Sequence, residues 1–169
     1  NGEFTVNIAL IKNQSPILGV IFAPVLETLY FSNHLIGSFK SHVKDFKHNF
    51  DFIKNNSVKL PINRKDKSCV VVASRSHMSS ETEDFISSLS NKNNDVKIIS
   101  KGSSLKLCLV AEGSADFYPR YAPTMEWDTG AGHAICIYAG CKVIDVKTNK
   151  EMLYNKISLL NNWFLISRK

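Results

Sequence analysis

The chain of 169 residues reads as a layered α/β protein, and three features of its sequence predict that class. Three short β-rich runs with tight connections open it. A β-branched run, Cys69 to Ala73, is followed closely by a helical pattern. A helix rich in small residues, Trp127 to Ala139, stops at Gly140. Strands that first follow one another and then alternate with helices imply an antiparallel meander ahead of a mixed-sheet α/β unit.

The opening runs are Phe4 to Ile11, Pro16 to Phe22 and Thr28 to Phe31, with Asn13-Gln14-Ser15 and Pro24 marking the turns. From Phe39 onward the apolar residues Phe39, Val43, Phe46, Phe50 and Ile53 recur every three or four positions with lysines opposite, which predicts a helix docked on the core. Cys69 to Ala73 has the composition of a strand buried on both faces, and Glu81 to Leu89 is the helix after it. Val96 to Ser100 and Ala115 to Tyr118 are further strands around a helical Ser103 to Ala111, and a strand-turn region from Val143 closes with Trp163 to Ser167. This divides the chain into 1–38, the strands of an incomplete first domain; 39–67, a basic insertion or linker; and 68–169, the C-terminal α/β domain.

A hydrophobic content of 44% is enough to fill a core at this length and excludes a disordered chain. The net charge of +6 is concentrated rather than spread: Lys40 to Lys67 carries eight Lys or Arg against three acids. Such a cluster reads as a solvated face that can steer anionic substrates, not as a nucleic-acid footprint. No stretch approaches the ~20 apolar residues of a membrane span, and no charged leader precedes an apolar run. The four cysteines include no CxxC pair, three of them lie in apolar runs, and zinc binding is not expected of them. The expectation is a soluble cytoplasmic protein with free thiols.

Two segments could carry chemistry on residue type alone. Ser74, Arg75, Ser76 and His77 form a polar cluster at the carboxyl end of a buried strand, where open α/β sheets place ligands, and an Arg fork with hydroxyl donors suits phosphate. The serines could equally cap the helix that follows. In Ala122-Pro-Thr-Met-Glu-Trp-Asp-Thr-Gly-Ala-Gly-His-Ala134, Asp128 stands at the start of a helix of small residues. An Asp there serves either as a helix cap or as a ligand beside a phosphate held by the helix dipole. His133 is more than one turn further along and reads as a packing histidine.

The Trp-Asp run resembles the C-terminal signature of the inositol monophosphatase superfamily. Gly2-Glu-Phe-Thr-Val-Asn-Ile-Ala-Leu-Ile11, Leu18-Gly-Val-Ile-Phe-Ala-Pro-Val25, Ser74-Arg-Ser-His77, Gly102-Ser-Ser-Leu-Lys106 and Ala111-Glu-Gly-Ser-Ala-Asp-Phe-Tyr-Pro119 resemble, in the same order, its 3'(2'),5'-bisphosphate nucleotidase branch. The resemblance covers the chain apart from the basic stretch. It implies a sugar-phosphatase-like layered fold and a magnesium-dependent hydrolase that converts adenosine 3',5'-bisphosphate to AMP, in sulfur assimilation and nucleotide recycling. It makes Asp128 a metal ligand and places Ser74, Arg75, Ser76, His77, Ser104, Lys106 and Arg120, with Asp128, around the nucleotide. Arg120 falls close to where inositol-selective relatives carry an acid, and a cation there suits a second phosphate.

Members of the family also carry an upstream helical Glu and an Asp-Pro-Leu-Asp-Gly-Thr-type motif that supplies most of the metal ligands, and neither occurs here. The resemblance therefore implies an inactive C-terminal fragment with an uncovered apolar face and a tendency to self-associate. A phosphatase of inositol phosphate or another substrate, and a catalytically dead nucleotide-binding or assembly module, are the competing readings.

Overall fold

Asn13 and Gln14 both adopt positive φ, 51° and 62°. They form the two-residue turn that joins strand β1, Val6–Lys12, to β2, Ser15–Ala23. The structure is a computed structural model and describes residues 2–45, 47–66, 68–73, 78–91 and 95–168. The hairpin continues through β3, Thr28–Asn33, and β4, Gly37–His42, to a two-residue β5, Val58–Lys59. All neighbours in this five-stranded sheet are antiparallel, and β1 is its edge.

The helix expected from Phe39 is replaced by β4 and a much shorter helix α1, Phe50–Asn55. Phe39 lies opposite Phe31 in the strand register, with the rings stacked at 5.4 Å, and Val43 is buried just beyond the strand. The apolar spacing met a helical period by accident. Pairing Phe39 across the sheet buries it without a helix, and Asn49 starts α1 only later, its Oδ1 accepting Phe52 N–H at 3.0 Å. Phe46 lies outside the described residues.

The second sheet has six strands in the order β10-β9-β11-β8-β6-β7. They are β6, Cys69–Ala73; β7, Val96–Ser100; β8, Phe117–Arg120; β9, Lys142–Asp145; β10, Lys150–Glu151; and β11, Phe164–Ser167. β6 is parallel to both β7 and β8, and the remaining pairs are antiparallel. Helix α2, Ser80–Ser90, carries the chain from β6 out to β7, and α3, Leu105–Glu112, brings it back past β6 to β8. Right-handed crossovers in opposite directions put these helices on opposite faces of the sheet.

Helix α4, Glu126–Tyr138, packs on β1 and β2 of the first sheet and on α3, which in turn packs on the second sheet. The layers are therefore sheet, paired helices, sheet, helix, in agreement with the predicted class. The approach of α4 is close because its segment Gly130-Ala-Gly132 is small and faces Gly19 of β2. A Cβ at Gly19 would lie 2.2 Å from the Ala131 carbonyl oxygen. Ile21, Val72, Val110, Ile135 and Ile166 are among the residues of the main core between the sheets, while Leu29, Phe31 and Val43 form a smaller cluster. A buried carboxylate ties the layers: Glu112 of α3 accepts from Tyr30 Oη at 2.8 Å and from Lys40 Nζ at 2.6 Å, both on the first sheet.

Candidate active site

β1 alternates Val6, Ile8 and Leu10 outward with Asn7, Ala9 and Ile11 toward α4. Asn7 is thereby brought to the start of α3. A knot of polar groups forms there: Ser104 Oγ donates to Asn7 Oδ1 at 2.6 Å, and Thr5 Oγ1 lies 2.7 Å from Ser103 Oγ and 2.8 Å from Ser104 Oγ. Ser103 holds a left-handed φ of 52°, unusual for a residue with a Cβ. The turn is clamped by Glu3, which accepts Gly102 N–H at 2.7 Å and Lys101 Nζ at 3.2 Å.

These groups border a cavity of about 190 Å³ whose wall includes Asn7, Ser104, Lys106, Tyr118, Arg120 and Asp128. The first turns of α3 and α4 both open onto it, so two positive helix ends meet at one place. Lys106, in the first turn of α3, donates to the carbonyl oxygens of Lys101 at 3.2 Å and Ser103 at 3.0 Å. Burial lowers its pKa, nearby Arg120 lowers it further, and Glu3 opposes both. Arg120, at the carboxyl end of β8, donates from Nη2 to Pro123 O at 3.1 Å, and its buried Nε has no hydrogen-bond partner among the described residues. An unfilled cationic donor next to a second cation is an arrangement an anion stabilises. Burial pushes the Tyr118 phenol up to about 12, with Arg120 acting against the rise and Asp128 adding to it.

Asp128 is the third residue of α4 rather than its cap. The cap position is Met125, whose backbone N–H the Asp128 carboxylate accepts at 2.8 Å. The start of α4 is braced from the other side by the 154–161 segment. Buried Glu126 accepts Asn155 N–H at 2.7 Å and Lys156 Nζ at 2.5 Å, and Asn161 Nδ2 donates to Met125 O at 2.9 Å. Asp128 is the cavity's one carboxylate among the described residues, and those residues contain no group of three His, Cys, Asp or Glu able to hold a metal. Magnesium needs six oxygen ligands, so Asp128 suits one position of a site that the described residues do not complete. His133 is fully buried, with Nδ1 3.0 Å from Tyr154 Oη, and has the packing role its position suggests.

Of the residues singled out in the sequence, Ser104, Lys106, Arg120 and Asp128 share this one cavity. Ser74, Arg75, Ser76 and His77 lie outside the described residues. Sequence reasoning missed Thr5, Asn7 and Tyr118. Thr5 and Asn7 had a legible signal, since they are polar positions alternating with Val6 and Ile8 in an otherwise apolar strand; Tyr118 had none, because a tyrosine in a buried strand is ordinary core. No helix among the described residues is long and apolar enough to cross a membrane.

The sequence pattern of the inositol monophosphatase family matches residues 1–166. The chain is 40% identical over 167 residues to a Salmonella typhimurium protein named 3'(2'),5'-bisphosphate nucleotidase CysQ, covering 99% of this chain and 61% of that relative. The CysQ of Buchnera aphidicola is 39% identical over 170 residues, with 99% of this chain and 58% of the relative covered. The crystal structure of CysQ from Bacteroides thetaiotaomicron superposes with a TM-score of 0.93 at 46% identity, covering 99% of this chain and 64% of that one. An inositol monophosphatase of Thermotoga maritima, at 20% identity and a TM-score of 0.68, covers 98% of this chain and 56% of its own and shares the fold. The chain thus spans less than two thirds of the length of these relatives.

Proposed function

The chain belongs to the inositol monophosphatase family, and from that premise we propose that it forms the nucleotide-binding part of a magnesium-dependent phosphomonoesterase that releases the 3'-phosphate of adenosine 3',5'-bisphosphate. The observation that carries this reading is the placement of Lys106 and Arg120 beside Asp128 where the starts of two helices meet. Two cations and two helix dipoles favour a ligand with more than one phosphate, and a neutral polyol would leave Arg120 unpaired. The similarity to proteins named CysQ supports the same substrate class.

In this reading Lys106 and Arg120 hold the phosphate that is not cleaved, Ser104 and Asn7 offer hydrogen bonds to the ribose, and Asp128 provides one magnesium ligand. Ser74, Arg75, Ser76 and His77 are assigned to nucleotide positioning on their resemblance alone. Bound magnesium would supply charge neutralisation at the phosphate oxygens and lower the pKa of an attacking water. The four free cysteines suit a reducing, cytoplasmic setting.

Calorimetric titration of the 169-residue chain with adenosine 3',5'-bisphosphate and with myo-inositol 1-phosphate tests the substrate class. The nucleotide is expected to bind at least about tenfold more tightly, a difference of 1.4 kcal/mol; equal affinities or a preference for the inositol ester reject the reading. A second reading, a binding module without turnover, is favoured by the single carboxylate at the cavity. Magnesium-dependent phosphate release by this chain alone would overturn that second reading and the account of Asp128 as one ligand among missing others.

A further inference from the structure

The hydroxyls of Tyr30, Tyr138 and Tyr154 each end on a protein acceptor: Glu112 Oε2 at 2.8 Å, Pro16 O at 3.3 Å and Thr129 Oγ1 at 3.2 Å. Tyr118 differs. It is only 4% exposed, it lines the cavity, and its hydroxyl meets no partner among the described residues. A phenol so placed forgoes a hydrogen bond that water would have supplied, unless a ligand takes it.

The side chain is held in place. Phe164 meets its ring edge-on at 5.9 Å and 87°, and Lys106 Nζ lies 5.9 Å from the ring centroid. Lys106 spends two of its three N–H groups on the carbonyls of Lys101 and Ser103, which leaves one for a ligand. Arg120 follows Tyr118 by two positions in β8 and so lies on the same face of the strand. Three donors from two elements therefore border the same space: one phenol, one ammonium and one guanidinium.

We propose that the Tyr118 hydroxyl donates a hydrogen bond to a phosphate oxygen of the substrate, so that Tyr118, Lys106 and Arg120 form a single anion subsite beside the first turn of α3. The inference rests on reading the cavity as the substrate site and deepens it by assigning a neutral donor among the cations. It makes Tyr118 a positioning residue.

The test is the variant Tyr118→Phe, which keeps the ring and its contacts with Phe164 and Lys106. Inorganic phosphate, adenosine 3',5'-bisphosphate and unphosphorylated adenosine are titrated into wild-type and variant full-length chains, with thermal melts to check folding. The expected result is binding of phosphate and bisphosphate weakened roughly tenfold, the size of one hydrogen bond to a charged group, with adenosine unaffected. Unchanged affinity for both phosphorylated probes, or equal weakening of all three, overturns the inference while leaving the nucleotide reading intact. If wild-type chain binds inorganic phosphate but not the nucleotide, and the variant binds phosphate more weakly, the subsite stands and the nucleotide reading fails. Failure of the wild-type chain to bind any phosphorylated probe rejects both.

Discussion

The Asp128 carboxylate accepts the backbone N–H of Met125 at 2.8 Å, so the one acid that fronts the cavity also closes the first turn of α4. The two roles can be separated by substitution. Asp128→Asn keeps an acceptor for Met125 and is expected to change stability by less than about 0.5 kcal/mol while removing magnesium enhancement of nucleotide binding; Asp128→Ala is expected to cost about 1 kcal/mol as well. Urea denaturation and magnesium-dependent titration read the two effects independently, and equal stability losses in both variants would show that the carboxylate charge, not the hydrogen bond, holds the turn.

Lys106 and Arg120 carry the positive charge at the cavity on two separate elements. Lys106→Met and Arg120→Met are each expected to weaken adenosine 3',5'-bisphosphate roughly 10- to 100-fold and AMP by less, since a charge-assisted contact to the second phosphate is lost. Calorimetry decides it. Identical losses for both nucleotides would place these cations against a single shared phosphate.

The Glu126 carboxyl responds to acid in a defined direction. Burial by itself raises its pKa, but Lys156 Nζ and the backbone N–H groups of Asn155 and Lys156 outweigh burial and leave it below the ordinary value of 4.5. A carboxyl depressed by folding adds stability that is complete above the unfolded value and is lost as pH falls through the folded one. Glu126→Gln is expected to destabilise the chain by about 1–3 kcal/mol at pH 7, and the gap from wild type should narrow below about pH 4. Denaturation curves at both pH values check this, and a gap independent of pH would mean that shape, not charge, matters at this position.

Gly19 is required by the approach of α4 to the first sheet. A Cβ there would stand 2.2 Å from Ala131 O and 2.9 Å from Ala134 Cβ. Gly19→Ala is expected to push α4 away from β2, destabilise by about 1–3 kcal/mol, and shift the first turn of α4 at the cavity. A melting temperature equal to wild type would contradict this packing.

Phe4, Val6, Ile8 and Leu10 are exposed on or just before β1, the edge strand of the first sheet. A row of apolar side chains on an unpaired edge favours association with a second copy of the chain. Sedimentation is expected to show mass rising with concentration, and Ile8→Lys to return the chain to monomer; a wild-type monomer at the highest soluble concentration would reject it.

Much of the fold was legible from local pattern. Cys69–Ala73 and Val96–Ser100 coincide with the predicted strands because a short β-branched run has few other ways to be buried, and α4 follows its small-residue pattern to within a residue or two. The region from Phe39 was misjudged because a spacing of three and four residues does not distinguish a helix from a strand followed by a loop and a short helix. Only the pairing of Phe39 with Phe31 across the sheet resolves that choice.

The site divides in the same way. Sequence by itself determined which residue types were present to meet a phosphate, and motif order was enough to select Ser104, Lys106, Arg120 and Asp128. Tertiary structure decided that these four reach one cavity, because α3 and α4 pack side by side with their first turns toward β8. It also decided the company they keep. The Asp128 carboxylate is shared with a backbone N–H, Asn7 is joined to Ser104 across 97 positions of chain, and Tyr118 is left with an unsatisfied hydroxyl. Hydrogen bonding and burial depend on which groups meet in space, and residues so distant in the chain carry no local signal that they will meet.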